Sequence, residues 1–262
     1  MPLIFSCIAP HPPILIPKIG QENLAAVKNT IFSLKELNRK IQKQKIDTIF
    51  IVSPHGPLNR DQFLILGDEN LWGDFADFGY NDISASYKND LDTVSEISKK
   101  MKKENIPFRI FNDNWLDHGC LVPLHYLAKN LSAKLIVSGF NFLDLKTHFK
   151  YGKALTKVFN KSKKRFAFVA SGDLSHRLTK DAPAGFSPIG KKFDDKLIEL
   201  LKNNKVSDII NLKESLQEEA GECGLRSIAI LLGAMSDKKY STKIQSYEGP
   251  FGVGYLVADF II

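Results

Sequence analysis

The chain has 262 residues, of which 44% are hydrophobic and 25% are charged, so we expect a globular protein of one large or two small α/β domains. No apolar run approaches the ~20 residues that span a bilayer, and the first residues lack a signal-peptide pattern, which favours a cytoplasmic protein without membrane association. The net charge of +7 comes largely from lysine runs at the ends of helical patterns, and because no aromatic residues interleave with them we expect no nucleic-acid partner.

The amino-terminal segment is predicted to form a strand, a helix and a second strand. An apolar run ends at Ala9-Pro10-His11-Pro12-Pro13, and residues 21–44 carry apolar side chains at helical spacing. Residues 47–52 are a continuous apolar run that ends at Ser53-Pro54-His55-Gly56. A strand–helix–strand unit of this length predicts parallel strands, so His11 and His55 should lie at the same edge of the sheet, where open α/β sheets bind ligands.

The middle of the chain continues this alternation. Strands are predicted at 63–66, 108–111 and 135–139, and helices at 90–104, from about 118 through 127, and at 143–159. Residues 70–80 are rich in glycine and aromatic residues, and we predict a loop that is either one wall of a pocket or a surface loop held by its aromatic side chains.

The carboxyl-terminal part adds one more strand that ends at a histidine. The apolar run 166–170 leads into Ser171-Gly172-Asp173-Leu174-Ser175-His176, and helices are predicted at 191–201 and 225–235. Two strands, 242–247 and 254–261, are predicted to pair as a hairpin at one sheet edge. We therefore predict one α/β domain over residues 1–262, with a mixed, mostly parallel sheet, helices on both faces and a metal cleft at the carboxyl ends of the strands.

Four of the six histidines lie at element ends and are candidates for chemistry. His11, His55, His118 and His176 are these four, whereas His125 and His148 lie within helical patterns and are interpreted as structural or surface residues. Two imidazoles and one carboxylate form the facial set that holds Fe(II) with open coordination positions.

Glu222 is the candidate carboxylate for such a set, in the turn Gly221-Glu222-Cys223-Gly224 before an apolar helix. A simple interaction with the helix dipole is the alternative role for its side chain. Cys223 is a rival ligand, because a thiolate also binds soft or borderline metals. The three cysteines of the chain form no CxxC pair and are expected to be reduced thiols.

The motifs around these residues resemble, in order, those of the LigB-type class III extradiol ring-cleavage dioxygenase superfamily. The motifs are Ala9-Pro10-His11-Pro12-Pro13, Ser53-Pro54-His55-Gly56, Asp117-His118-Gly119, Ser171-Gly172-Asp173-Leu174-Ser175-His176 and Gly221-Glu222-Cys223-Gly224. The chain is most similar to the branch related to Memo proteins and the AmmeMemoRadiSam system, in which the domain occurs fused or adjacent to an AMMECR1 domain. The resemblance covers essentially the whole chain.

The resemblance implies a role for each matching residue. His11 and His55 match the two histidine ligands of Fe(II), and Glu222 falls close to the carboxylate ligand. Cys223 resembles equally well the cysteine found in Memo-like members, but a carboxylate preserves dioxygenase chemistry, so Glu222 is favoured. His176 matches the active-site base, and His118 matches a second histidine that takes part in proton transfer.

The function implied is a non-haem Fe(II)-dependent extradiol dioxygenase that inserts O2 into a catecholic or related small molecule. The alternative is a Memo-like metal-binding protein with a redox or protein-interaction role and no ring cleavage, and a zinc hydrolase is a third. In these alternatives the site would hold another divalent metal, such as Zn or Cu, in place of Fe(II). The partners implied are a catechol-like substrate, O2 and an AMMECR1-type protein, and a homo-oligomer is compatible with the resemblance.

Overall fold

The computed structural model describes residues 2–262. Within them the strands are β1 (Leu3–Ala9), β2 (Thr48–Ser53), β3 (Phe63–Leu66), β4 (Asn70–Phe75), β5 (Tyr80–Lys88), β6 (Phe108–Phe111), β7 (Lys134–Gly139), β8 (Phe166–Ser171), β9 (Ser241–Glu248) and β10 (Tyr255–Ile261). Eight of them form one sheet in the order β6-β3-β7-β2-β8-β1-β10-β9, and β4 pairs with β5 separately.

The centre of the sheet is parallel. Strand β8 pairs in parallel with both β1 and β2, and β2 also pairs in parallel with β7. Antiparallel pairs occur at β1–β10, β9–β10 and β3–β7, so the predicted mixed sheet and the terminal hairpin are confirmed. Strands β1 and β2 are parallel as predicted, but they are not neighbours, because β8 lies between them. Since all three strands run in the same direction, their carboxyl ends lie at one edge of the sheet.

Helices cover both faces of the sheet, as predicted. They are α1 (Pro17–Gly20), α2 (Lys28–Gln42), α3 (Leu91–Lys103), α4 (His118–Leu127), α5 (Leu145–Phe159), α6 (Pro188–Lys202), α7 (Val206–Ile210), α8 (Glu214–Ala220) and α9 (Leu225–Ala234). Strand residues alternate between two apolar clusters: Ile49 and Ile51 pack with α2 and α4, whereas Phe50 and Val52 pack with α3, α5 and α9. In the described part of the chain, no helix is both long enough and apolar enough to cross a bilayer.

Several helices begin at the residues that the sequence favours for capping. The Asp144 side chain accepts a hydrogen bond from the backbone of Thr147 at the start of α5, at 2.8 Å. Ser187 caps α6 in the same way through Ile189, and Pro188 follows at the first helical position.

Two stretches differ from the sequence prediction. The helix predicted from residue 21 begins as a 3-10 helix, Gln21–Val27, because Gln21 has a positive φ of 45° and the α-helix starts only at Lys28. The loop predicted at 70–80 is a β-hairpin of β4 and β5, whose turn is made by Gly79 at a φ of 83°, a left-handed conformation that glycine adopts without strain. The short helices α7 and α8, of five and seven residues, are too short to show a clear helical period in the sequence.

Candidate metal centre

Three imidazoles from distant parts of the sequence meet at the carboxyl edge of the sheet. His11 follows β1, His55 lies in the turn after β2, and His118 is the first residue of α4. The Nε2 atoms of His11 and His55 are 3.1 Å apart, and one ring nitrogen from each of the three histidines lies within 4.8 Å of the other two. The ring centroids of His55 and His118 are 4.2 Å apart.

His11 is held in one orientation by β8. Its Nδ1 atom lies 3.0 Å from Oγ of Ser171, and the Ser171 hydroxyl donates to the carbonyl oxygen of Gly119 at 2.5 Å. Because the only proton of this hydroxyl is donated to Gly119, the Ser171 oxygen must act as the acceptor of the hydrogen bond from Nδ1–H of His11. The Nε2 atom therefore carries the free lone pair, which is the form that binds a metal.

A second group of ligand atoms shares His11. The Sγ atom of Cys223 and the Oδ2 atom of Asp173 each lie 3.7 Å from Nε2 of His11. The two loops are tied together, because the amide of Asp173 donates to Sγ of Cys223 at 3.3 Å and the amide of Cys223 donates to the carbonyl oxygen of Asp173 at 3.3 Å. Asp173 also accepts from the amide of His11 at 3.1 Å.

The electrostatics of this cluster favour neutral side chains. Burial, together with the other imidazoles, holds the pKa of His11 well below its usual range, and burial lowers the pKa of His118 to about 4. Burial raises the pKa of Asp173 to about 7 and, with the Asp173 carboxylate, raises the pKa of the Cys223 thiol. A bound cation would favour the deprotonated acid and thiol, so the donor set fits a metal ion.

Glu222 does not point into this cluster. Its Oε2 atom accepts a hydrogen bond from the amide of Leu225 at 2.6 Å, so the carboxylate caps the start of α9. Neither group of candidate ligand atoms in the described residues includes it, whereas Cys223 belongs to one of them. The structure therefore brings Sγ of Cys223, rather than the Glu222 carboxylate, close to Nε2 of His11, because adjacent residues of a turn direct their side chains differently.

His176 lies beside the cluster, in the loop after β8. Its amide donates to the carbonyl oxygen of Ala220 at 3.1 Å, and its buried Nδ1 atom has no hydrogen-bond partner among residues 2–262. Burial lowers its pKa, and the His55 imidazole contributes to the same shift. The two histidines predicted to be structural, His125 and His148, do not belong to either group of ligand atoms within the described residues.

Sequence reasoning assigned no role to several residues that shape the site. Ser171 and Asp173 fix His11, and their position directly after β8 was the signal available for them. Phe78, in the β4–β5 hairpin, places its ring 5.2 Å from the ring of His118. The sequence suggested a pocket wall as one interpretation of residues 70–80, but it did not predict the contact between Phe78 and His118.

Comparisons with known proteins identify a family and several relatives of this chain. A family model described as the catalytic LigB subunit of aromatic ring-opening dioxygenase matches residues 6–258. A Clostridium acetobutylicum protein whose name carries no activity is 35% identical over an alignment that covers 95% of this chain and 55% of that protein. The chain therefore spans only about half the length of that relative.

Two more distant relatives carry activities in their names. The 3,4-dihydroxyphenylacetate 2,3-dioxygenase of Escherichia coli is 22% identical over 90% of each chain. The 2-aminophenol 1,6-dioxygenase beta subunit of a Pseudomonas species is 21% identical over 98% of this chain and 93% of its own. The crystal structure of an uncharacterized protein of Escherichia coli K12 superimposes with a TM-score of 0.70 at 16% identity, over 99% of this chain and 100% of that one, and so shares the fold.

Proposed function

The chain belongs to the LigB family of catalytic subunits of aromatic ring-opening dioxygenases, and from this membership we propose that residues 1–262 act as one non-haem Fe(II)-dependent extradiol-type dioxygenase domain. The substrate proposed is a catecholic or related small molecule that reacts with O2. The family and the two named dioxygenase relatives support the reaction class. The free thiols of Cys7, Cys120 and Cys223 are in keeping with a reducing, cytoplasmic setting.

We assign the ion to His11, His55 and Cys223. The observation that carries this assignment is that His11 belongs to two groups of candidate ligand atoms, one that includes His55, with the two Nε2 atoms 3.1 Å apart, and one that includes Cys223, whose Sγ lies 3.7 Å from Nε2 of His11. Fe(II) would supply open coordination positions at which a diol and O2 can meet, and this proximity makes their reaction effectively intramolecular. Glu222, the ligand favoured from sequence, is the alternative third donor.

The remaining histidines handle protons in this proposal. The His176 imidazole, whose pKa is lowered by burial, can accept a proton from a substrate hydroxyl. His118, neutral because burial lowers its pKa to about 4, can hold and return a second proton. The ring of Phe78 lies 5.2 Å from the ring of His118 and would form part of the wall on that side of the site.

O2 consumption tests this function. The protein is loaded anaerobically with Fe(II), and O2 uptake is followed with a panel of catechols and 2-aminophenol. We expect metal-dependent uptake with at least one compound, at least 100-fold slower in His176→Gln. Stoichiometric Fe(II) without uptake for any compound would reject the dioxygenase proposal.

A second candidate function is a Memo-like metal-binding role in redox chemistry or protein interaction. Cys223 favours it, because a thiolate ligand suits Cu and Zn as well as Fe(II). An AMMECR1-type partner, which the resemblance of the sequence motifs implies, or a second copy of the chain is part of this candidate. Tight binding of Cu or Zn in preference to Fe(II), with no O2 uptake, would favour it over the dioxygenase.

A further inference from the structure

A cavity of about 510 Å³ lies between α3 and the carboxyl-terminal end of α5. Two lysine-rich segments, 99–103 and 161–165, meet there although they belong to different parts of the sequence. We call this cavity the lysine pocket, and the cations that line it are Lys99, Lys100, Lys103, Lys157, Lys161 and Lys164. The sequence indicated that such segments lie at helix ends, but it did not predict that they share one cavity.

The lysine pocket lies far from the proposed metal centre. Lys164 is two residues before Phe166, the first residue of β8, whereas Ser171, which contacts His11, is the last residue of that strand. Because a strand rises by about 3.3 Å per residue, the two ends of β8 are roughly 17 Å apart. A ligand in the lysine pocket is therefore distinct from a ligand at the metal centre.

Four of the six ammonium groups have carboxylate partners. Glu104 binds both Lys100 and Lys157, at 2.6 and 2.8 Å, and so connects the end of α3 to α5. The other two ion pairs are Lys99–Glu96 at 2.7 Å and Lys164–Asp90 at 2.5 Å. These contacts fix the walls of the pocket while its lining keeps more lysines than acids.

The remaining two cations of the pocket lack an anion. No carboxylate in residues 2–262 forms an ion pair with Lys103 or Lys161. Ser162 adds a neutral donor, because its Oγ atom accepts from the amide of Lys164 at 3.1 Å and its hydroxyl proton has no acceptor in the described chain. Like charges that line one cavity repel each other, so an anion bound between them would relieve this repulsion.

The chemistry of the lining selects among anions. Its cations are all lysines, which bind phosphate as point charges, and among the described residues no arginine, whose planar fork matches a carboxylate, lines it. The same lining has no aromatic side chain on which a nucleic-acid base could stack. The acids Asp92 and Glu96 also line the pocket, and they would repel an anionic chain longer than the cavity.

We infer that the lysine pocket binds a compact polyphosphate anion, free or as part of a small metabolite, with Lys103, Lys161 and Ser162 as its donors. The four paired lysines add positive potential around the anion, and the cavity has the size of small-molecule sites. This second ligand site is independent of the proposed dioxygenase function.

Calorimetry with inorganic triphosphate on the full chain, at an ionic strength of about 0.15 M, tests this site. We expect the double variant Lys103→Gln/Lys161→Gln to bind triphosphate at least about tenfold more weakly than the wild type, because it loses two charged donors. Triphosphate held by an ion at the metal centre would be bound equally by every variant of the lysine pocket, so it does not contribute to this difference.

The matched control is Lys102→Gln/Lys163→Gln. These exposed lysines belong to the same two segments but do not line the pocket, and this variant has the same net charge as the first. Its affinity for triphosphate should stay within about twofold of the wild type, since an exposed charge that does not contact the anion is largely screened. Equal losses in the two double variants would overturn the inference, because they would show a general attraction to a basic surface.

Other ligands test the kind of anion. We expect triphosphate to bind more tightly than citrate, a carboxylate anion of similar charge, and more tightly than a short thymidine oligonucleotide. ATP that binds like triphosphate would identify the free polyphosphate as sufficient, and ATP that binds more tightly would identify a metabolite, provided that Lys103→Gln/Lys161→Gln weakens both. The inference is overturned if triphosphate does not bind, if citrate binds as tightly, or if the oligonucleotide binds more tightly, which would indicate a nucleic-acid surface.

Discussion

Nε2 of His11 and Nε2 of His55 lie 3.1 Å apart although 44 positions separate the two residues in the chain. The contact exists because β1 and β2 both run parallel to β8 and end at the same edge of the sheet. Since Nδ1–H of His11 is committed to Ser171, its Nε2 faces His55 as an acceptor. A cation shared between the two rings would use both lone pairs, and this is the relationship on which the proposed centre depends.

Substitution of single ligands should separate the candidates for the third donor. We expect His11→Ala and Cys223→Ser to lower metal affinity at least tenfold, because each removes a donor atom. Glu222→Gln should bind metal like the wild type, since the amide oxygen of the new side chain can still accept from Leu225 and cap α9. The metal content of each variant after dialysis against a weak chelator measures these differences in metal affinity. Loss in Glu222→Gln with retention in Cys223→Ser would make Glu222 the ligand.

The close approach of two glycines should be needed for the site. A Cβ atom on Gly172 would lie 2.2 Å from Cα of Gly224, so alanine at 172 must push the loop of Asp173 away from the loop of Cys223. We expect Gly172→Ala to lower the free energy of unfolding by about 1–3 kcal/mol and to weaken metal binding. The control is Gly185→Ala, where no atom lies within 4 Å and only the φ of 76° opposes a side chain. Equal metal affinity in both variants would argue against this coupling.

The sequence alone was sufficient to predict the positions of the strand-end histidines, but not the choice between the adjacent residues Glu222 and Cys223. The positions of His11, His55 and His176 at strand ends followed from apolar runs that stop at proline, glycine or serine, and parallel strands bring such ends together. The choice between Glu222 and Cys223 could not be predicted, because both residues occupy one turn. Only the structure shows that the Glu222 carboxylate binds Leu225 while Sγ of Cys223 approaches His11.

The β4–β5 hairpin shows a second limit of the sequence. Its turn contains a 3-10 helix, Ala76–Phe78, before Gly79, so it lacks the two-residue turn that identifies a short hairpin. The approach of Phe78 to His118 is a contact between separate elements. Local patterns carry no information on such contacts.

The aromatic contact suggests a kinetic test of the hairpin. If Phe78 bounds the substrate site, Phe78→Ala should raise the KM of any diol found active by about three- to tenfold and change kcat less, because the ring binds ground state and transition state alike. Phe32→Ala removes an exposed phenylalanine from α2 and should change neither constant. Steady-state O2 uptake gives both values. An unchanged KM in Phe78→Ala would show that the hairpin does not contact the substrate.

A buried histidine outside the cluster should make stability depend on pH. Burial lowers the pKa of His148 to about 4, and its ring packs on Phe63 with centroids 5.2 Å apart. The unfolded chain binds this proton below about pH 6.5 and the folded chain only near pH 4, so the stabilising effect of a neutral His148 is present above pH 6.5 and lost as the pH falls toward 4.

Replacement of that histidine isolates the effect. Between pH 7 and pH 4, wild type should lose on the order of 2–3 kcal/mol more of its free energy of unfolding than His148→Gln does. Urea unfolding at several pH values measures both proteins, and packing losses in the variant cancel because they do not change with pH. Parallel profiles for the two proteins would show that His148 titrates normally in the folded state.

The most direct test of the proposed centre is a crystal structure of the Fe(II)-loaded protein with anomalous diffraction recorded at the iron edge. We predict one iron atom bound by Nε2 of His11, Nε2 of His55 and Sγ of Cys223, with His118 and His176 facing it. An iron atom that is not bound by both His11 and His55 would contradict the account.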